Sequence, residues 1–149
     1  MKKDSIDDDG QYAFQPSRAC EELGREVIDA SFVVHRELGP GFSEKLYEHA
    51  LAVELNLRGV PFSQQLVVPI HYRGVLVGEY QPDLILDKLI VIELKAIRTE
   101  PVALHVAQVL SYLRATRLNL GFVINFGLPY FKEGVKRVVL PPRPSPPSP

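Results

Sequence analysis

The chain has 149 residues, enough for one domain, and its 46% hydrophobic and 23% charged residues suit an ordinary globular protein with a sizeable core. One cysteine, Cys20, excludes an intramolecular disulfide and a cysteine-rich zinc site, and fits a reducing, cytoplasmic setting. A net charge of −1 argues against a generic basic nucleic-acid binder.

Residues 1–16 are polar, carry an Asp7-Asp8-Asp9 run, and read as a disordered tail without the apolar run of a secretory signal. A first helix is expected from Ser17, its N-cap, to Leu38, with Leu23, Val27, Ala30, Val34 and Leu38 as its buried stripe. Gly39-Pro40-Gly41 stops it. A phosphate loop is excluded there, because no G-K-[ST] follows and Pro40 removes an amide donor. A second helix is expected from Ser43 to Arg58, with Leu46, Ala50, Val53 and Leu57 along one side. Glu44 falls in its first turn, where the macrodipole favours an acid, and Tyr47 and Leu51 follow at i+3 and i+7 as a face that docks on a sheet.

The pattern then turns to strands. Gln64–Tyr72 and Val75–Leu86 read as two strands joined by a turn at Arg73-Gly74. After a second turn at Asp87-Lys88, Leu89–Ala96 (LIVIELKA) is apolar on both faces, as a central covered strand should be. A helix over Val102–Ala115, a strand over Leu120–Asn125 and a last strand over Lys136–Leu140 complete a domain over residues 17–140. The tail 141–149 is proline-rich and cannot enter a helix or sheet interior. No stretch reaches the roughly 18 consecutive apolar residues of a membrane span. The element order gives an α/β (α+β) fold: a mixed sheet with helices packed on it.

Glu93 and Lys95 lie two apart in LIVIELKA, so both side chains leave one face of the strand. Such groups are costly in an apolar strand unless they pair or bind a ligand. The plain alternative is an ion pair at the strand end. Pro82-Asp83 lies ten residues earlier, and a tight turn at Asp87-Lys88 sets Asp83 across from the Leu94 region. Two converging carboxylates repel unless a cation or a proton intervenes. Mg²⁺ suits them, as a hard ion that takes a few carboxylate oxygens and keeps several waters. Lys95 would then stand beside the ion and the substrate. His105, Gln108 and Tyr112 share one helix face at i, i+3 and i+7. The four histidines show no ligand spacing, and Cys20 has no clear basic partner.

The order PD-x9-E-L-K (Asp83, Glu93, Lys95) resembles the PD-(D/E)XK nuclease superfamily. With G-x-x-E-x-x-Y over Gly41–Tyr47 and HVAQVLSYLRATRLNLGFVINFG after the E-L-K, the chain is similar to its GxxExxY branch of small bacterial proteins, over about Ser17–Val139. Gln108-x3-Tyr112 is similar to the Q-x3-Y element of RecB-like members. The resemblance implies a restriction-endonuclease-like core and metal-dependent cleavage of a phosphodiester, most simply in DNA. It implies that Asp83 and Glu93 bind Mg²⁺ or Mn²⁺, that Glu44 helps bind metal or water, and that Lys95 assists attack. It places Gln108 by the water or phosphate, with Tyr112 and His105 in support or against the nucleic acid. Cutting both strands together would need a homodimer.

The charge is unevenly placed. Residues 88–149 hold nine bases (Lys88, Lys95, Arg98, Arg114, Arg117, Lys132, Lys136, Arg137, Arg143) against three acids (Glu93, Glu100, Glu133), a surplus that can face a polyanion. The rival reading is a non-catalytic nucleic-acid-binding or protein-interaction module on a nuclease fold, which the small size and slight negative charge favour. An intact D…E-x-K favours the enzyme, since a binder needs no three costly polar groups in its sheet.

Overall fold

The structure is a computed structural model, and it describes residues 14–99 and 103–143. The two predicted tails, 1–16 and 141–149, lie largely outside the described residues. Helix α1 (Arg18–Leu38) and helix α2 (Glu44–Leu57) come first. Ser17 caps α1 by accepting from the Cys20 N–H, and Ser43 caps α2 by accepting from the Leu46 N–H. Gly39, at φ 68°, ends α1 as expected and donates to the His35 carbonyl.

The strands are β1 (Phe62–Gln64), β2 (Val68–Tyr72), β3 (Val75–Tyr80), β4 (Leu84–Leu86) and β5 (Ile90–Lys95). Helix α3 (Ala103–Thr116), β6 (Leu120–Asn125), a 3-10 turn (Phe131–Gly134) and β7 (Val135–Val139) follow. Five strands form one sheet in the order β1-β4-β5-β6-β7. Only β5 and β6 are parallel within it, with α3 as their crossover. The result is the expected α/β mixed sheet flanked by helices.

The strand predicted over Val75–Leu86 is broken in two, with one piece in a separate hairpin (β3) and one in the main sheet (β4). The strand predicted over Gln64–Tyr72 forms β2 of that hairpin only from Val68 on, and β1, which joins the main sheet, lies before it except for Gln64. Gln65, at φ 50°, marks the break between β1 and β2, and Gln81-Pro82 separates β3 from β4. Both predicted turns are present: Arg73-Gly74 and Asp87-Lys88 have left-handed φ at both positions, the form that matches strand twist in two-residue hairpins.

Strand alternation divides the core. Ile90, Ile92 and Leu94 of β5 join Leu120, Phe122 and Ile124 of β6 against α1 and α2. Val91 and Val123 face the other way, against Val109 and Leu113 of α3. The α1 stripe is as expected, with Val27, Ala30 and Val34 buried and Leu23 and Leu38 packed against them. The stripe expected on α2 is not the buried one: Val53 is 60% and Leu57 78% exposed, and Leu46 is exposed too. The face of Tyr47 and Leu51, expected to dock on the sheet, does so, together with Leu55. Tyr47 stacks on Phe126, ring centroids 4.7 Å apart, and its hydroxyl donates to the Gly39 carbonyl and accepts from the Phe42 N–H. The aromatic anchor thus fixes which way α2 rotates.

Candidate active site

Because β4 and β5 are antiparallel, the start of β4 meets the end of β5. Asp83, just before β4, therefore lies beside Glu93 and Lys95. The β5 alternation sends Glu93 and Lys95, like Val91, to the α3 side of the sheet. Asp83 Oδ2 accepts from the Leu94 N–H at 2.7 Å, the cross-strand placement that the short turn predicts. Glu44, at the start of α2, and His105, near the start of α3, are close enough to each other and to Asp83 and Lys95 for their charges to interact, and Gln108 follows His105 along α3.

Glu93 is 7% and Asp83 8% exposed. Lys95 Nζ lies 3.7 Å from Glu93 Oε1, and Glu93 Oε2 is buried with no hydrogen-bond partner. Burial, and next the charge of Asp83, push the Glu93 carboxyl up to about 8, although Lys95 opposes them. Glu44 is also raised, first by burial and then by Asp83, with Lys95 and His105 acting the other way. Glu44 thus shares the electrostatic field of this group.

His105 Nδ1 and Gln108 Oε1 are likewise buried and unpartnered. Tyr112 stacks on Tyr80, with centroids 4.1 Å apart and an interplanar angle of 10°, and the Tyr80 hydroxyl donates to the Tyr112 carbonyl. Both phenols are raised, chiefly by burial, and the Glu93 charge adds to each. That stack fastens the β2–β3 hairpin to α3 beside the site.

Three neighbours escape the sequence motifs. Glu48, one helical turn after Glu44, is 3% exposed and accepts from Lys45, Gln64 and Gln65. Gln65 also donates to Asp83 Oδ1 at 3.1 Å. Tyr80 is the third. The i, i+4 spacing of Glu44 and Glu48 was a usable signal for Glu48. Gln65 and Tyr80 gave none, because their roles come from where a broken strand turns.

Among the described residues no group of three or more His, Cys, Asp or Glu side chains is drawn together tightly enough to hold a metal ion. Two carboxylates, Asp83 and Glu93, do meet in a dry place, one with an orphaned oxygen. That pairing fits a hard cation that completes its shell with water or phosphate oxygens.

A mixed sheet flanked by helices, with two acids and a lysine at the end of its central strand, is of the restriction-endonuclease-like class. A family model for the PD-(D/E)XK nuclease superfamily matches residues 21–138, and the chain belongs to that superfamily. Searches of the curated proteins and of the solved structures found no match. Superfamily members are generally hydrolytic nucleases and typically use divalent metal ions. No helix among the described residues is long and apolar enough to cross a membrane.

Proposed function

We propose that the protein is a metal-dependent phosphodiesterase of the GxxExxY branch, acting on DNA. The observation that carries this reading is the buried Asp83–Glu93 pair with Lys95 beside it and Glu93 Oε2 left without a partner. Asp83 and Glu93 would hold Mg²⁺ or Mn²⁺, with Glu44 assisting directly or through a water. Such an ion supplies positive charge for the phosphate and leaving oxygens and makes a nearby water more acidic.

The chain's own groups do the rest. The Lys95 ammonium orients the attacking water and stabilises charge developing on the phosphate. Gln108, with its side-chain oxygen free and buried, orients that water or the phosphate. Tyr112, stacked on Tyr80, holds the wall that the nucleic-acid strand meets, and His105 is close enough to act on the Glu44 charge. Water oxygen bonds to phosphorus, the bond to the 3′ oxygen breaks, and the proton of the water passes to solvent as the 3′ hydroxyl takes one up. A homodimer would place two such sites for cleavage of both strands.

The test is cleavage of single- and double-stranded DNA and RNA with Mg²⁺ or Mn²⁺, using the wild-type chain, Asp83→Ala and Lys95→Ala. DNA cleavage that needs the ion and is lost in both variants is expected. Cleavage that survives both substitutions would remove the assignment.

A further inference from the structure

Gln65 belongs to no motif of the nuclease pattern, yet it bonds Asp83 through both its backbone and its side chain. Its φ of 50° is left-handed, a conformation that glycine takes freely and a glutamine takes only at a cost. Its backbone N–H donates to the Asp83 carbonyl at 3.1 Å. Its side-chain Nε2 donates to Asp83 Oδ1 at 3.1 Å and to Glu48 Oε1 at 2.7 Å. With the Leu94 N–H on Oδ2, both Asp83 oxygens and its carbonyl are fixed. Glu48 is itself held on its other oxygen by Lys45 at 3.1 Å and Gln64 at 3.2 Å.

We propose that Gln65 is the positioning residue of the metal site, a two-donor clamp that aims the Asp83 carboxylate beside Glu93 and ties it to Glu48 on α2. The inference rests on the nuclease reading above. A primary amide offers two hydrogens, one for each of two carboxylates from separate elements, and adds no charge that would compete with a cation. One hydrogen bond per Asp83 oxygen leaves further lone pairs for a cation. The strained backbone aims that amide. Glu48 steadies the clamp from α2, the helix that also carries Glu44. Metal affinity is therefore set partly at the break between β1 and β2, outside the D…E-x-K sequence.

Calorimetric titration with Mn²⁺ tests this on the full chain, comparing wild type, Gln65→Met, Gln65→Gly and Asp83→Ala, with metal-free melting of each. Gln65→Met keeps the bulk and the strain but has no donor. Gln65→Gly loses the donor and relieves the strain. Both are expected to weaken Mn²⁺ binding by about tenfold or more, the usual cost of losing a group that orients a metal ligand. Gln65→Gly should melt nearer to wild type than Gln65→Met while losing as much affinity. Affinity losses that simply track the melting temperatures would leave Gln65 a structural residue and overturn the proposal. So would a folded Gln65→Met protein that binds within twofold of wild type while Asp83→Ala abolishes binding. A wild-type chain that takes up no Mn²⁺ would sink the metal-site reading first and this inference with it.

Discussion

Glu93 is a carboxyl group that the fold keeps dry beside a second carboxylate, so a proton and a divalent cation compete for it. Its folded-state pKa of about 8 lies above the ordinary value of 4.5, for burial first and Asp83 second. The native state then binds this proton more tightly than the unfolded chain, so stability is greatest below pH 4.5 on this account and falls as pH rises towards 8. Glu44 is raised as well and adds to the same slope. Metal-free melting between pH 5 and 8.5 should therefore show a falling Tm, flattened though not abolished in Glu93→Gln. Mn²⁺ should restore the wild-type Tm at the alkaline end and do little for the variant. Lys95→Ala should behave differently. It should cut kcat by about a hundredfold or more, as loss of a group stabilising transition-state charge does, while Mn²⁺ binding by calorimetry stays within a few-fold. At this scale Asp83, Glu93 and Lys95 could be read from the sequence, because a two-residue turn and strand alternation fix their relation. Gln65 could not be read, because its role depends on a left-handed φ that nothing in Ser63-Gln64-Gln65-Leu66 announces.

Elements bring these residues together, and their packing is tight where the site depends on it. Gly121 of β6 lies under α3, and a Cβ there would come within 2.6 Å of Val109 Cγ1 and 3.0 Å of the Val91 carbonyl. Gly121→Ala should push α3 off the sheet, cost about 1–3 kcal/mol in chemical denaturation, and lower cleavage through displaced Gln108 and Tyr112. Asn125, fully buried at the end of β6, bonds the Ile97 N–H and carbonyl, the Thr99 carbonyl and the Gly127 N–H. Asn125→Ala should cost about 3 kcal/mol by the same measurement, since it strands several buried backbone groups. Helix and strand identity were largely legible, since LIVIELKA and LGFVIN are apolar runs of strand length and the α1 stripe has helical spacing. The sequence offered two faces of α2 for burial. Apolar residues lie on two sides of it, and the choice falls to the stack of Tyr47 on Phe126, a contact made across 79 residues of chain. The break between β3 and β4 was hidden for a related reason: apolar, strand-forming residues flank it on both sides, and only the competition between two sheets divides them.

For the proposed function, the whole molecule must bring a polyanion to a site that is itself acidic. The base-rich segment 88–149 is where that attraction would arise, and Arg98, exposed just past the end of β5 and Lys95, is one of its cations. Arg98→Ala should weaken DNA binding and lower the slope of log affinity against log salt by about one, with little change in kcat, as checked by fluorescence anisotropy across a salt series. The hairpin of β2 and β3 stands outside the main sheet, with Tyr72, Val75, Leu76 and Val77 exposed, and it is joined to the site through the Tyr80–Tyr112 stack. In the proposed function, Asp83 and Glu93 form one cation site with Lys95 at its side. A crystal structure of the chain soaked in Mn²⁺ at pH 8, read by anomalous scattering, tests it most directly. The expected result is a Mn²⁺ peak shared by the Asp83 and Glu93 carboxylates, with Lys95 adjacent. A crystal that takes up Mn²⁺ elsewhere and leaves these two carboxylates without it would contradict the account.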